Sequence, residues 1–381
     1  MERYIGLMSG TSLDGIDAVL LEVDGQHWQA QRHHHVDYEQ TLLARLQRAV
    51  QSPATLTVDE LGALDSLVGE AFAQAALGLL DTCGLEAAQV RAIGSHGQTL
   101  RHQPHAVAPF TLQVGDPNRI AEHTGIDVVA DFRRRDLAAG GEAAPLVPAF
   151  HAALFTRPGH TRVIANIGGI ANITVLGRDG RVIGFDTGPG NCLMDGWMLQ
   201  HRGQPFDADG ALAARGRVNM ALLQRLQAEP FLHRPPPKST GRELFHLDWL
   251  AAHLAQCPVP DVADVQATLC EFTALSLADA IRSTAPDAND LLICGGGVRN
   301  GQLLARLRQA LPDLALRSTA AEGIDPQHVE AAAFAWLAQQ RLAGAAGNLP
   351  AVTGARGLRP LGGVYAGAVT QKNPAQRTLE G

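Results

Sequence analysis

None of the short motifs that most often announce an enzyme is present. No G-x-x-x-x-G-K-[ST] occurs, which excludes a P-loop nucleotide site. No G-x-G-x-x-G follows an apolar run, which counts against a dinucleotide-binding dehydrogenase. H-R-D and D-F-G are missing, and Asp131-Phe132 continues into arginine. There is no G-x-S-x-G elbow and no H-E-x-x-H zinc helix. The 5 cysteines (Cys83, Cys192, Cys257, Cys270, Cys294) are scattered, with no C-x-x-C pair and no zinc spacing, and most read as reduced core residues. The net charge of −7 comes without a basic stripe, so nucleic acid is not an expected partner; Arg133-Arg134-Arg135 is the one strong basic cluster. No apolar run approaches the ~20 residues a membrane span needs, and Met1 leads at once into a strand with no signal-peptide pattern. The expectation is a reduced, soluble, cytoplasmic protein with no membrane partner.

What remains is a chain of 381 residues, 46% hydrophobic and 18% charged, enough for roughly two domains of about 150 residues. Its 40 glycines fall at the ends of apolar runs, as tight turns in an α/β protein require. Tyr4–Met8 and Ile16–Val23 read as a β-hairpin around the hydroxyl- and glycine-rich turn 9–15. That turn is either an ordinary hairpin loop or a holder of phosphate oxygens and, through a carboxylate, hydrated Mg²⁺. Residues 25–37 are polar; His33-His34-His35 could bind metal but have no acidic partner in sequence, so a solvated loop is expected. Thr57-Val58-Asp59-Glu60 looks like a capping box opening a long helix that stops at Gly84. Strand 90–94 ends in Ser95-His96-Gly97-Gln98-Thr99, and strand 126–130 runs into Asp131 and the arginine cluster. His96 reads equally as a turn histidine or a substrate contact. Arg133 reads equally as a planar anion binder or part of a surface turn.

From residue 163 the opening pattern repeats. Two apolar strands flank Gly168-Gly169, and a third, Arg181–Phe185, leads into Asp186-Thr187-Gly188-Pro189-Gly190-Asn191 before a helix at Cys192. The stretch is either a tight β–α turn with a capping acid or a phosphate cradle of bare amides beside a candidate general base. Strand 291–294 is followed at once by Gly295-Gly296-Gly297, a surface on which adenine or ribose could lie. Helix 329–342 follows, and beyond residue 343 the periodicity fades into a loose tail. Two hydroxyl- or acid-bearing glycine turns plus a bare glycine turn make a coherent ATP site without a P-loop.

This arrangement resembles the acetate and sugar kinase/Hsp70/actin superfamily, and more narrowly the anhydro-N-acetylmuramic acid kinase family. The resemblance rests on Gly6–Gly15, Gly94–Thr99, Asp131-Phe132-Arg133 with Ala144–Pro148, Asn166–Asn172, Phe185–Asn191, Pro237–Glu243 and Cys294–Gly297, and covers about residues 3–365. It implies an α/β, two-domain actin-like/ribonuclease H-like ATPase fold, with mixed sheets flanked by helices and a cleft between the domains. The expected domains are 1–131 with 346–381, and 132–345. It implies 1,6-anhydro-N-acetylmuramic acid as substrate, ATP with Mg²⁺, MurNAc-6-phosphate as product in peptidoglycan recycling, and a homodimer. Expected ATP contacts are Gly10, Thr11, Ser12, Leu13, Asp14, Gly15, Ile16, Asp17, Gly168, Gly169, Gly188, Gly190, Asn191, Gly295, Gly296 and Gly297, with Asp14 reaching Mg²⁺ through water. Expected substrate contacts are His96, Gln98, Asp131, Arg133 and Glu330. Asp186 is the expected catalytic residue. In an anhydro sugar O6 is an ether oxygen, so the base must act on water rather than on a hydroxyl. A kinase for ordinary hydroxyl sugars and a non-catalytic ATP-gated module are the alternatives.

Overall fold

Glu2–Met8 (β1) and Ile16–Asp24 (β2) pair antiparallel, with Met8 opposite Asp17. The computed structural model describes residues 1–10, 13, 15–25, 27–257 and 261–367. Thr11, Ser12 and Asp14 of the expected phosphate turn, and the end of the expected loose tail, lie outside them. β2 pairs onward with His27–Val36 (β3), where composition predicts a loop. The strand forms because it closes the free edge of β2, and an antiparallel edge tolerates a polar, solvated face.

Ala92–Ser95 (β4) adds parallel to β1. Gln98–Gln103 (β5) and Phe110–Val114 (β6) form a separate hairpin. Val128–Ala130 (β7) lies parallel to β4, and Gly363–Tyr365 closes the far edge. The helix Val58–Cys83 covers this sheet; Thr57 Oγ1 accepts from Glu60 N at 3.1 Å, and left-handed Gly84 (φ 62°) ends it. Among the described residues this is the one helix long and apolar enough, by length and composition, to cross a membrane. Its Leu64, Val68, Phe72 and Leu79 are buried in the core under β1 and β2, and Asp65 and Glu70 bind Gly115 N and Arg119.

The second unit repeats the plan. Arg162–Ile167 (β8), Ile170–Leu176 (β9) and Val182–Pro189 (β10) are successive antiparallel strands. Asp290–Cys294 (β11) runs parallel to β8, and Ala315–Ser318 (β12) parallel to β11. The sheet order β10-β9-β8-β11-β12 reproduces β3-β2-β1-β4-β7, with the same directions at every step. A repeated 3-2-1-4-5 mixed sheet flanked by helices is the actin-like, ribonuclease H-like architecture. The helix Val262–Thr284 supplies Leu269, Phe272 and Leu277 to this unit's core. At the end of the sheet remote from the glycine turns, buried Arg162 makes a two-pronged pair with Asp290, at 2.9 and 2.8 Å.

Among the described residues, one unit takes in Met1–Leu146 and residues 330–367; the other is Val147–Val329. These divisions differ from the expected breaks after residues 131 and 345. The segment 132–146 stays with the first unit because Asp136 bonds Asn348 and Thr353. The helix Val329–Leu342 stays there because its backbone lies against β1 and β4 at Gly6 and Gly94, where any Cβ would strike the carbonyls of Ala331 and Phe334.

Candidate active site

In the first unit β1, β4 and β7 are parallel, so their carboxyl ends share one edge, where open α/β sheets hold ligands. After β1, Ser9 Oγ lies 2.7 Å from the Gly15 carbonyl and 2.6 Å from Gln98 Oε1, its single proton shared between them. Gln98 Nε2 donates to Gly10 O and Thr99 O, both at 3.2 Å, and Tyr38 OH donates to Gln98 Oε1 at 3.3 Å. Gln98 is fully buried. Its amide is therefore a bracket across the first glycine turn, and no donor is left over for the substrate contact expected of it. Gly10, Leu13, Gly15 and Ile16 are the described turn residues; Leu13 adopts a left-handed conformation (φ 60°) and Ile16 anchors the return strand in the core. Asp17 Oδ1 is taken by His33 Nε2 at 2.9 Å and His35 Nδ1 at 2.8 Å. The histidine run thus has the acidic partner that the sequence withholds.

After β4, His96 is buried with its ring against Phe334. Burial, and then Arg133, push its pKa well below the ordinary histidine value, so the ring is neutral. Arg133 Nε donates to His96 Nε2 at 3.0 Å, and Arg133 Nη1 to Ala143 O at 2.7 Å. Burial lowers the guanidinium pKa to about 10, against the pull of Glu330 and Asp136, so it stays charged. Arg133 lies on the helix Phe132–Ala138, where a turn was one reading. Asp131, half-buried and left-handed (φ 60°) after β7, has its pKa raised by burial and pairs with Arg134 at 3.3 Å. The structure thus brings His96 and Arg133 into contact, with Glu330 close enough to act on the arginine electrostatically.

The loop under Arg133 hangs on Asp136, which is wholly buried and accepts from Ala143 N (2.9 Å), Asn348 Nδ2 (2.7 Å) and Thr353 Oγ1 (2.9 Å). Asp136→Ala would strand three buried donors at about 1–3 kcal/mol each. A loss of about 3 kcal/mol or more in urea unfolding is expected; a loss under about 1 kcal/mol would remove the network from this role.

In the second unit β8, β10 and β11 are parallel, so Gly168-Gly169, Asp186–Asn191 and Gly295–Gly297 gather at one edge. Asp186 is not at a strand's end. β10 continues to Pro189 and bulges between Asp186 and Gly188, with Thr187 Oγ1 bound to Ala171 O at 3.1 Å. A bulge re-aims a side chain, here the carboxylate. Asp186 Oδ2 accepts from Ser239 Oγ and Thr240 N, each at 2.9 Å, while Oδ1 has no hydrogen-bond partner among the described residues. Asp186 N donates to Lys238 O at 3.1 Å, and Lys238 Nζ ties the loop to the carbonyls of Phe231 and Leu232. Burial raises the Asp186 pKa to about 6, against the two hydrogen bonds that lower it.

The amides expected to cradle phosphate ahead of the helix Cys192–Arg202 are already taken. Gly190 N and Cys192 N donate to Gly169 O, and Asn191 N to Gly168 O, at 2.9, 3.1 and 2.8 Å. Gly190 is packed so tightly on Gly168 O that no Cβ fits. The amides of Gly168 and Gly169 themselves have no acceptor among the described residues. Gly188 is buried, and Asn191 Nδ2 donates to Ile167 O at 3.2 Å. Of the last three glycines, Gly295 (φ 81°) and Gly297 are demanded by packing on Asn166 and Ile167, and only Gly296 presents an open face. One neighbour has no role in the sequence reading: the exposed guanidinium of Arg242 lies 3.4–3.6 Å from where a Gly169 Cβ would stand. It comes from the Ser239-Thr240-Gly241 segment that holds Asp186, the signal by which it could have been found. Half-buried Asp195 is beside it; burial raises that carboxyl to about 7, and Arg242 opposes the rise.

Two actin-like units, with an acid and unpaired glycine amides on one sheet edge, define a chain of the actin-like ATPase and sugar-kinase class. Within it, the chain belongs to the anhydro-N-acetylmuramic acid kinase family, whose model matches residues 2–367. It is 54% identical over 365 residues to the anhydro-N-acetylmuramic acid kinase of Xanthomonas axonopodis pv. citri (95% of this chain, 97% of the relative). It is 50% identical to that of Xylella fastidiosa (95% and 96%) and 49% identical to that of Aliivibrio fischeri (96% and 99%). The chain is accordingly a kinase.

Proposed function

We propose that this protein is an ATP-dependent kinase that opens the anhydro ring of 1,6-anhydro-N-acetylmuramic acid with water and phosphorylates O6, giving MurNAc-6-phosphate and ADP in peptidoglycan recycling. The observation that carries the mechanism is Asp186, anchored through one carboxylate oxygen with the other open. Asp186 Oδ1 takes a proton from water as the hydroxide joins C1; the C1–O6 bond breaks, and O6 attacks the γ-phosphorus as ADP leaves. The amides of Gly168 and Gly169 suit phosphate oxygens, Arg242 suits the charge on the transferring group, and the open face of Gly296 suits the nucleoside. Mg²⁺ would neutralise the β- and γ-phosphates; Asp14, its expected ligand through water, lies outside the described residues. Arg133, charged and braced by His96, suits the lactyl carboxylate; Glu330 and Asp131 suit sugar hydroxyl or amide groups. The reading includes a cytoplasmic homodimer.

Turnover in ¹⁸O-water with ATP, Mg²⁺ and the anhydro sugar tests it. Heavy oxygen at C1 of a phosphorylated product is expected. Phosphorylation of free hydroxyl sugars only, or label absent from C1, would overturn the coupled ring opening.

A further inference from the structure

Alternation along β3 separates the three consecutive histidines. His33 and His35 face one way; His34 faces the other and packs against Gly78 of the long helix. On the neighbouring strand, Asp17 stands directly opposite His35, and Val19 opposite His33. One carboxylate oxygen and two imidazole nitrogens thus converge, with all three ligand atoms within 4.8 Å of one another. His33 presents Nε2 and His35 presents Nδ1, both to Asp17 Oδ1. The far nitrogen of His35, Nε2, lies 3.3 Å from Asp37 Oδ1. An outer carboxylate on the non-ligating nitrogen fixes the ring and raises its basicity, an arrangement that recurs around metal-bound histidines. The three side chains are 24% (His33), 37% (His35) and 38% (Asp17) exposed, so an ion can enter and water can complete its coordination.

We propose that Asp17, His33 and His35 form a binding site for a zinc-type divalent cation. Two imidazoles and one carboxylate suit Zn²⁺ and its late first-row neighbours, whereas Mg²⁺ and Ca²⁺ take oxygen ligands. The ion would replace the hydrogen bonds that the rings now make to Asp17, tying β2 to β3 where the first glycine turn returns. There His35 Nε2 is only 2.7 Å from where a Cβ on Gly15 would lie.

The test uses the full chain after chelator treatment. Zn²⁺ is titrated against a chromophoric indicator in wild type, His33→Ala, His35→Ala and His34→Ala, and Co²⁺ is added separately to read its d–d absorption. One equivalent of Zn²⁺ is expected in wild type and in His34→Ala, with affinity at least about tenfold weaker in the other two. Co²⁺ should give a nitrogen-ligated spectrum that His35→Ala abolishes. Thermal unfolding keeps the result readable if a variant is destabilised: Zn²⁺ should raise the melting temperature of wild type and His34→Ala by clearly more than that of His33→Ala at the same Zn²⁺ concentration. No stoichiometric uptake by wild type, or equal loss in His34→Ala, would overturn the site.

Discussion

Asp186→Asn is expected to lower turnover by about 10³-fold or more, with ATP affinity changed less than about threefold. General base catalysis is worth about 10²–10⁴, and the amide keeps the acceptor for Ser239 and Thr240 while losing the basic oxygen. Wild-type kcat/KM should carry an acid limb near the Asp186 pKa of about 6. The carboxylate must be ionised to accept the proton from water, so activity falls about tenfold per pH unit below that point, where an unburied aspartate would hold it to about pH 4. Stability runs the other way. The native pKa lies above the unfolded value, so the group's favourable contribution is present below about pH 4 and lost as pH rises through about 6. The ionised carboxylate is thus a strain on the fold at neutral pH, and Asp186→Asn should melt no lower than wild type at pH 7. An active variant, or an acid limb near pH 4, would remove Asp186 as the base; an inactive variant that melts well below wild type would show only misfolding.

Local signals were legible where a single stretch determines the outcome. Thr57 and Gly84 bound a helix by their own capping chemistry, and the two hairpins around glycine turns foretold the repeated sheet. Features that depend on a partner remote in sequence were not legible. β3 looks like a loop because its outer face is meant to be wet; only β2 beside it makes it a strand. In sequence the strand carrying Asp186 reads as ending at Phe185, because a bulge is defined by β9 across from it. Gln98 follows a strand as a ligand-binding residue would, yet Ser9, Tyr38 and the Gly10 carbonyl use up its amide. Likewise the amides of Gly190 and Asn191 look bare until Gly168 and Gly169 are folded under them.

Arg242→Gln should lower kcat by about 10²–10³, with the dissociation constant for ATP changed only a few-fold. The guanidinium stands over the Gly169 turn, whose amides have no acceptor among the described residues, so cation and donors face one place where phosphate charge can gather. A group that meets charge mainly as it develops affects kcat more than binding, and removing one preorganised donor typically costs about 10²–10³. Lysine keeps the charge without the planar fork, so Arg242→Lys should recover part of the rate. A competing role is visible, since Arg242 also draws down the raised pKa of Asp195. If the arginine served only to neutralise that carboxyl, Asp195→Asn would make it dispensable, and the double variant would be as fast as Asp195→Asn alone. If it acts on the transferring phosphate, Asp195→Asn leaves most activity in place and adding Arg242→Gln removes it again. Pre-steady-state phosphoryl transfer in the four proteins of this cycle separates the two roles, because a double variant no slower than Asp195→Asn would confine Arg242 to structure.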